Sequence, residues 1–274
     1  MGYINILILI TLLFLLLLTC DLLLKKYVAN LNENAYKKVY NNNHKIVKIN
    51  RYNEITIPSF IETPIVFDKT NTLSKRRFIE LFKDYNLDYG KSGNSNLKKG
   101  TMKLSTFLSK MKNKRYEFYI FHYVKNNSEL IQTVTSYIPA PNAYFINSDD
   151  LNIVISVGSL NSGTHLHNHG PNVNFLICGK KLWVVFPNSS HNSSYLKRIY
   201  AKYGQIEEDT KEWFDKNGMN LINNIKNIFI FVQYAGQAVY IPDQYYHMVI
   251  NLDNSYSIIY NEPHDENEPH NEYE

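Results

Sequence analysis

Short apolar segments separated by polar turns fill much of the chain from residue 116 onward and constrain the fold more than any other feature. They are rich in Val, Ile, Phe and Tyr, which favour strands, and each is too short for an ordinary helix. The predicted strands are Tyr116–Tyr123, Ala143–Asn147, Ile153–Gly158, Asn174–Cys178, Leu182–Phe186, Gln237–Ile241, His247–Asn251 and Tyr256–Tyr260. A succession of short strands joined by polar turns is typical of a β-sandwich or barrel.

Helical patterns occur before these strands and in one long gap between them. The predicted helices are Thr72–Tyr85, Leu104–Met111, Ser193–Tyr203 and Glu207–Ile228. Ser74 is the expected N-cap of the first helix, because its hydroxyl can accept from N–H groups of the first turn. The last two helices belong to an insertion at about residues 188–230, which is expected to lie outside the barrel.

An apolar leader begins the chain. From Ile4 to Leu24 nearly every residue is Leu or Ile, so water is not its expected environment. Roughly twenty apolar residues can span a bilayer as a helix, whereas a shorter apolar core before a small residue is typical of a cleavable signal. Residues 1–25 are therefore either a signal peptide or a signal-anchor transmembrane segment, and an uncleaved segment would attach the protein to a membrane.

The rest of the chain suits a single folded domain. Residues 26–50 are rich in Lys, Asn and Tyr without a sustained period, which predicts a low-complexity spacer. The folded domain is expected at residues 51–262, followed by an acidic tail at residues 263–274. A net charge of +4 gives no reason to expect a nucleic-acid partner. Cys20 and Cys178 can build neither a disulfide framework nor a cysteine zinc site.

Histidines at alternate positions form the most distinctive motif. His165, His167 and His169 lie in the segment Gly163–Pro171, and alternate side chains on an extended backbone share one face. His247 follows a proline-containing turn and would come from a distant strand. Neutral imidazole is the commonest ligand of transition metals, so this set predicts a metal pocket. The alternative is an exposed polar strand face with a separately packed His247.

Two further motifs accompany the histidines. Gly179-Lys180-Lys181-Leu182-Trp183 follows them at short range, and Gly236-Gln237-Ala238-Val239-Tyr240-Ile241-Pro242 precedes His247. In this order the motifs resemble the jumonji-C (JmjC) family of Fe(II)- and 2-oxoglutarate-dependent oxygenases, and within it the jumonji domain-containing protein 8 group. The resemblance spans about Glu54–Tyr260. It implies a mainly β fold, the double-stranded β-helix or cupin-like jelly roll, with flanking α-helices, to which the apolar leader adds an N-terminal hydrophobic helix.

The resemblance implies that a His-x-carboxylate motif and a distant histidine bind iron. Those positions are His167, His169 and His247, with His169 in place of the family's carboxylate. The alternative pair is His165 and His167. A Gly-Pro step after the second histidine, as in the resembled group, and Thr164 three residues before His167 favour the first assignment.

The resemblance also implies a binding site for 2-oxoglutarate. Lys181 would pair with a carboxylate of this cosubstrate, and Thr164 and Tyr119 would hydrogen-bond it. Beside the metal ligands, His165 would be a neighbour or a residue that orients them, and Asp243 is either a turn residue after Pro242, which the position favours, or a carboxylate that orients His247. Fe(II) and 2-oxoglutarate are thus the implied cofactors.

The loss of an anionic ligand leaves two main interpretations of function open. One is an active 2-oxoglutarate-dependent hydroxylase of proteins. The other is a catalytically inactive JmjC-fold module for protein interaction, because His169 replaces the carboxylate. A cupin dioxygenase that uses no cosubstrate is a third. In the two main cases the expected partner is a protein.

The leader and the resemblance together predict a place in the secretory pathway. Members of the resembled group are lumenal in the endoplasmic reticulum, and sequons at Asn126, Asn188 and Asn192 are compatible with that compartment. The pair Lys25-Lys26 after the leader favours the opposite orientation. The expected location is the endoplasmic reticulum, either lumenal or membrane-anchored.

Overall fold

The structure is a computed structural model, and it describes residues 50–52, 55–68, 73–92, 98–112, 118–124, 127–147, 150–187, 189–203 and 210–262. These residues fall within one unit of the chain, Lys45–Glu274. The predicted leader, nearly all of the predicted spacer and the acidic tail lie outside the described residues. No helix in the described ranges is long and apolar enough to cross a membrane.

The elements follow one another along the chain as short strands interrupted by helices. The strands are β1 Asn50–Tyr52, β2 Thr56–Ile57, β3 Ile65–Phe67, β4 Asn86–Lys91, β5 Lys98–Lys103, β6 Phe118–Tyr123, β7 Asn142–Ala143, β8 Asn152–Gly158, β9 Gly163–His167, β10 Asn172–Cys178, β11 Lys180–Phe186, β12 Phe229–Tyr234, β13 Ala238–Ile241, β14 Tyr246–Asn251 and β15 Ser255–Asn261. The helices are α1 Lys75–Phe82, α2 Leu104–Met111, α3 Ser128–Tyr137, α4 Ser190–Tyr203 and α5 Thr210–Asn224.

Two sheets face each other across a buried interior. Among the described strands the larger sheet has the order β1-β3-β13-β10-β15-β8-β6-β4-β5, and the smaller has the order β12-β11-β14-β9. Apart from β1 and β3, their neighbouring strands run antiparallel. Val239 and Ile241 of the larger sheet share a buried cluster with Trp183, Phe231 and Val249 of the smaller. The mainly β, jelly-roll fold expected from the sequence is therefore confirmed.

The two faces of the larger sheet have different partners because side chains alternate along each strand. On β8, Ile153, Ile155 and Val157 belong to the main apolar core, together with the apolar faces of α1, α2 and α3. Ser156 and Gly158 face the other way. An added Cβ on Gly158 would lie 2.5 Å from the side-chain nitrogen of Asn251 on β14, so this face meets the smaller sheet. The interior between the sheets is thus the polar side of β8.

The inserted helices α4 and α5 cover the smaller sheet. Both contact β9, and α5 also contacts β14. Trp213 of α5 is fully buried, and its ring lies 5.7 Å from the ring of His165, centroid to centroid. At the start of α5 the Thr210 hydroxyl lies 3.3 Å from that of Ser92, which accepts the Gly163 N–H at 3.0 Å. These contacts hold the insertion against the strand that carries the histidine motif.

Two predicted helices are confirmed. Helix α2 has the predicted bounds, and α1 begins after Ser74, whose hydroxyl accepts the Arg77 N–H at 3.2 Å. The predicted strand Ala143–Asn147 is wrong beyond Ala143, because the chain turns there and the Ile146 N–H donates to the Ala143 carbonyl at 3.0 Å. Phe145 is buried in this turn and stacks on Tyr240.

The sequon at Asn192 is part of the packing. Its side chain is buried, donates to the carbonyls of Pro187 and Lys226, and accepts the Lys226 N–H at 3.3 Å. A glycan needs an exposed amide nitrogen, so the buried Asn192 gives no support to a lumenal location. Asn126 and Asn188 lie outside the described residues.

Candidate metal centre

Three of the predicted ligands come together at the end of β9. His167 is the last residue of β9 and pairs directly with His247 on β14, while His169 follows two residues later. The ring centroids are 4.2 Å apart for His167 and His247, 4.9 Å for His169 and His247, and 5.4 Å for His167 and His169. One nitrogen of each ring lies within 4.8 Å of the others. The three rings can therefore share one ion.

A β-bulge separates His165 from this set. Thr164 pairs with Val249 and His167 pairs with His247, so two residues of β9 stand opposite the single residue Met248. The ring of His165 consequently lies against Trp213 of α5, as described above. The expectation that His165, His167 and His169 share one face is therefore wrong, because the bulge re-aims the strand and the strand ends at His167.

Backbone carbonyls fix the tautomer of all three rings. Nδ1 lies 2.6 Å from the His165 carbonyl in His167, 2.7 Å from the Gly170 carbonyl in His169, and 2.9 Å from the Tyr245 carbonyl in His247. A carbonyl oxygen can only accept, so each Nδ1 carries the proton and each Nε2 keeps its lone pair. The centre thus offers three Nε2 donors, oriented by main-chain partners.

Burial keeps these imidazoles neutral. It lowers the pKa of His167 to about 3, with a further lowering from the neighbouring His169. Burial also lowers the pKa of His169, and it lowers that of His247 well below the ordinary value. The rings are therefore in the form that binds metals at neutral pH. Three neutral nitrogen donors suit Fe(II) and its neighbours in the first transition series.

An aromatic wall supports His247 from the smaller sheet. The Trp183 ring lies 5.9 Å from the His247 ring and stacks on Phe231 at 6.3 Å, centroid to centroid. The indole N–H donates to Gln233 Oε1 at 2.9 Å, and the Gln233 amide donates to the Asn174 carbonyl at 2.8 Å. The wall is thus held in one orientation across both sheets, and Gln233 is a contributor that the sequence motifs did not single out.

Asn168 and Gln244 tie together the two loops that carry the ligands. The Asn168 side chain donates to Gln244 Oε1 at 2.9 Å, and the Gln244 N–H donates to the His169 carbonyl at 3.1 Å. Gln244 has φ of 57°, a left-handed conformation that is uncommon for a side chain of this kind. The contact links the His167–His169 loop to the turn before His247, and so fixes the spacing of the donors.

We expect the Asn168→Ala and Gln244→Ala variants each to lower metal affinity by about 10-fold, the lower end of the range for groups that orient ligands. Each removes the same side-chain hydrogen bond, so the double variant should be little worse than either single variant. Titration with Co(II) in a double-mutant cycle measures the coupling. Fully additive losses, or unchanged affinity, would contradict the proposed tie.

Asp243 and Asn172 lie beside His169. Asp243 is exposed in the turn after β13, where its carboxylate works against the lowering of the His169 pKa. Neither carboxylate oxygen hydrogen-bonds His247, whose Nδ1 donates to Tyr245 instead. The Asn172 amide nitrogen lies 3.4 Å from Nε2 of His169. The high Asn content of the chain left the sequence without a reason to choose Asn172.

Lys181 is buried without an ion-pair partner among the described residues. It lies on β11 between Gln233 and Asn251 of the flanking strands and is 1% exposed. Lys181 and Trp183 are two residues apart on β11, so their side chains point to the same face. The Trp183 ring belongs to the cluster between the sheets, and the Lys181 side chain therefore points into the interior. Burial lowers the pKa of this amine to about 7. An ammonium group in this setting favours an anionic partner.

The other two predicted cosubstrate residues line the same interior. Thr164 is buried on β9 and pairs with Val249, two residues from Asn251 on the strand next to Lys181. The Tyr119 hydroxyl on β6 lies 2.5 Å from that of Ser156, and burial raises its pKa to about 12. Tyr119 and Asn251 both approach the position that a Gly158 Cβ would take. These hydroxyls and the amine thus lie around Asn251 and Gly158 on the interior faces of their strands, and groups of this kind can bind an anion.

Two facing antiparallel sheets that enclose a histidine centre define a protein of the cupin class. The Cupin-like domain family matches residues 25–267, so the chain belongs to this family, as a cupin-like JmjC domain. It is similar to JmjC domain-containing protein 1 of Schizosaccharomyces pombe, with 32% identity over 130 residues, which is 44% of this chain and 26% of that protein. It is also similar to JmjC domain-containing protein 8 of Rattus norvegicus, with 26% identity over 99 residues, 36% of this chain and 33% of the relative. The chain therefore spans a third or less of the length of these relatives.

Proposed function

We propose that this chain is an Fe(II)- and 2-oxoglutarate-dependent oxygenase of the protein-hydroxylase type. The observation that carries the proposal is a neutral three-imidazole centre in the same barrel as a buried Lys181 with no ion-pair partner among the described residues. Packing alone can account for a cluster of histidines or for a buried lysine. Together they provide a cation site and an anion site in one interior, which is what a metal and a dicarboxylate require.

Each residue has a defined task in this proposal. Nε2 of His167, His169 and His247 would hold the iron, and the Lys181 ammonium would pair with a carboxylate of 2-oxoglutarate. The Thr164 hydroxyl would hydrogen-bond the same carboxylate. Bound iron and 2-oxoglutarate would supply the oxidising chemistry of the family, while the chain orients both and the aromatic wall excludes water.

The second candidate is a catalytically inactive protein-interaction module, and His169 is the observation that favours it. A neutral donor in place of a carboxylate leaves more positive charge on the metal and stabilises its higher oxidation states less. Binding and turnover are therefore separate questions for this chain, and each needs its own measurement.

The test uses the purified full chain under anaerobic conditions. Calorimetry with Fe(II), and then with 2-oxoglutarate, should show that the metal strengthens cosubstrate binding. Succinate formation after admission of oxygen would support the oxygenase. Metal-dependent binding without succinate would favour the interaction module, and failure to retain any metal would overturn both the cofactor assignment and the enzymatic proposal.

Proton uptake gives an independent check on Lys181. Its pKa of about 7 means that much of the amine is neutral above that pH, and a bound carboxylate would raise the pKa again. We therefore expect 2-oxoglutarate binding at about pH 8 to take up close to one proton, and binding at about pH 6 to take up almost none. Calorimetry in buffers with different ionisation enthalpies measures this. Equal uptake at both values would contradict the pairing.

We also propose that the protein acts in the secretory pathway, in the endoplasmic reticulum, on a protein substrate or partner. The apolar run Ile4–Leu24 supports this location. Protease protection of microsomes that contain the full chain would support it, and full accessibility to protease would contradict it.

A further inference from the structure

A cleft of about 340 Å³ lies outside the metal centre, on the side of the turn before β14. It is lined by two carboxylates and by aromatic rings, chiefly those of Glu62, Asp243, Tyr144, Tyr240 and Tyr245. The volume is at the lower end for ligand pockets and is enough for one long side chain. No task in the proposed reaction uses this cleft.

The described lining of the cleft carries two carboxylates and no basic side chain. Among the residues that the structure describes, neither Glu62 nor Asp243 forms an ion pair with a basic side chain, and no Lys, Arg or His lines the cleft. The two carboxylates both affect the tyrosines that line the cleft. Burial raises the pKa of Tyr245, and the Glu62 carboxylate raises it further. Burial also raises the pKa of Tyr240, followed by the neighbouring Tyr144 and then by the Asp243 carboxylate.

The tyrosine rings are fixed by bonds to one short segment. The Tyr245 hydroxyl donates to the Glu62 carbonyl at 2.7 Å, and the Tyr240 hydroxyl donates to the Ile61 carbonyl at 3.2 Å. These bonds anchor the segment that carries the Glu62 carboxylate to the turn that carries Asp243. The rings and charges are therefore held in place before anything binds.

Exposed aromatic side chains occur in the lining of the cleft and next to it in the sequence. Phe60, next to the lining residue Ser59, is 77% exposed, and Tyr144 is 48% exposed. Among the described residues only Tyr123 is a further exposed large hydrophobic side chain. Clustered exposed rings mark interaction surfaces, whereas scattered ones do not. A cleft whose two carboxylates have no basic partner among the described residues, with exposed aromatic side chains in or next to its lining, matches a basic peptide, because cations bind both carboxylates and ring faces.

We propose that this cleft docks a basic segment of a partner protein, with a Lys or Arg side chain placed between Glu62 and Asp243. The inference rests on the proposed function in taking the partner to be a protein. Asp243 and Tyr245 flank Gln244, whose N–H donates to the His169 carbonyl, so a docked segment lies beside the loop that carries a metal ligand. The cleft thus positions the partner next to the centre, and the metal takes no part in holding it.

The test measures peptide binding by the full chain without added metal or 2-oxoglutarate. The probes are fluorescent peptides of one Gly-Ser background that carry a central Arg-Arg, Gln-Gln or Glu-Glu pair. The Arg peptide should bind at least about tenfold more tightly than the Gln peptide, and this preference should weaken as salt is raised. The Glu62→Gln/Asp243→Asn double variant should lose the preference. Glu129→Gln, at an exposed glutamate outside the cleft, should keep it.

Equal binding of the three peptides, or an unchanged preference in the double variant, would overturn the docking proposal. The Phe60→Ser variant tests the aromatic contribution without a change in charge, and it should weaken the binding of all three peptides to a similar extent. The failures are distinguishable. Succinate formation without a preference for the Arg peptide would support the oxygenase and overturn the docking proposal. A preference for the Arg peptide without succinate formation would overturn only the enzymatic proposal.

Discussion

The His247→Ala variant is expected to bind Fe(II) or Co(II) more than about 100-fold more weakly than the unaltered chain. Its Nε2 is the donor that β14 contributes, and the two remaining donors come from one short segment, His167 at the end of β9 and His169 two residues later. Groups that merely orient metal ligands contribute about 10- to 100-fold, so the loss of a ligand itself should exceed that range. An anaerobic titration in competition with a chromophoric chelator measures the change.

Two neighbouring variants decide the register of the histidine motif. His169→Ala should lose metal affinity as His247→Ala does, because His169 supplies one of the three grouped nitrogens. His165→Gln should keep it within a few-fold, since its ring lies against Trp213. The reverse outcome, with His165 needed and His169 dispensable, would show that the first two histidines are the ligand pair. Circular dichroism of each variant separates lost affinity from lost folding.

The grouping of His167, His169 and His247 could be predicted from sequence motifs, although the choice of His169 over His165 came from the family resemblance. Alternate histidines in His167-Asn168-His169 and a distant His247 after a proline turn are visible without any knowledge of pairing. The bulge is different. It arises because β9 and β14 shift register between His247 and Val249, and such a shift has no signature in either strand alone. The position of His165 therefore needed the structure.

The supporting contacts were hidden for other reasons. Gln244 adopts a left-handed conformation without the Gly that would announce it. Helix α3 was missed because its β-branched and polar residues give a weak pattern, although Asn127 caps it by accepting the Leu130 N–H at 3.0 Å. Strand β5 is rich in Lys and has Met102 as its single apolar residue, and β4 offers only Leu87 and Tyr89 at alternate positions, so both patterns are too short to predict a strand.

The inserted helices show the limit of a prediction from periodicity. The structure has α5 at Thr210–Asn224 and then a separate strand, β12, at Phe229–Tyr234, where the sequence pattern predicts no strand. Helical spacing identified the helix, but its packing of Trp213 against β9 depends on tertiary contact. Gln233 on β12 bonds the Trp183 indole, so the unpredicted strand completes the wall beside the metal centre.

The Lys181→Met variant is expected to separate stability from function. The amine is 1% exposed, and no ion pair or hydrogen bond engages it in the described part of the chain, so methionine should stabilise the cofactor-free protein. Removing an unsatisfied buried polar group of this kind is worth about 1–3 kcal/mol in the free energy of unfolding. The same change should weaken 2-oxoglutarate binding by more than about 100-fold, because a buried carboxylate would then lack its counter-charge.

The pH dependence of this effect has a fixed sign. The pKa of Lys181 is about 7 in the folded chain and about 10.4 when unfolded, so between these values the unfolded chain binds more protons. The free energy of unfolding of the unaltered protein should therefore rise with pH from about 7 to about 9, and the advantage of methionine should shrink over that interval. Urea unfolding at several pH values measures both trends.

Lys180→Met is the matched control, since Lys180 is partly exposed over the Tyr234 ring and should alter neither stability by this mechanism nor cosubstrate binding. A Lys181→Met protein that is less stable, yet still binds 2-oxoglutarate, would show that this amine has a packing role and that the anion site lies elsewhere.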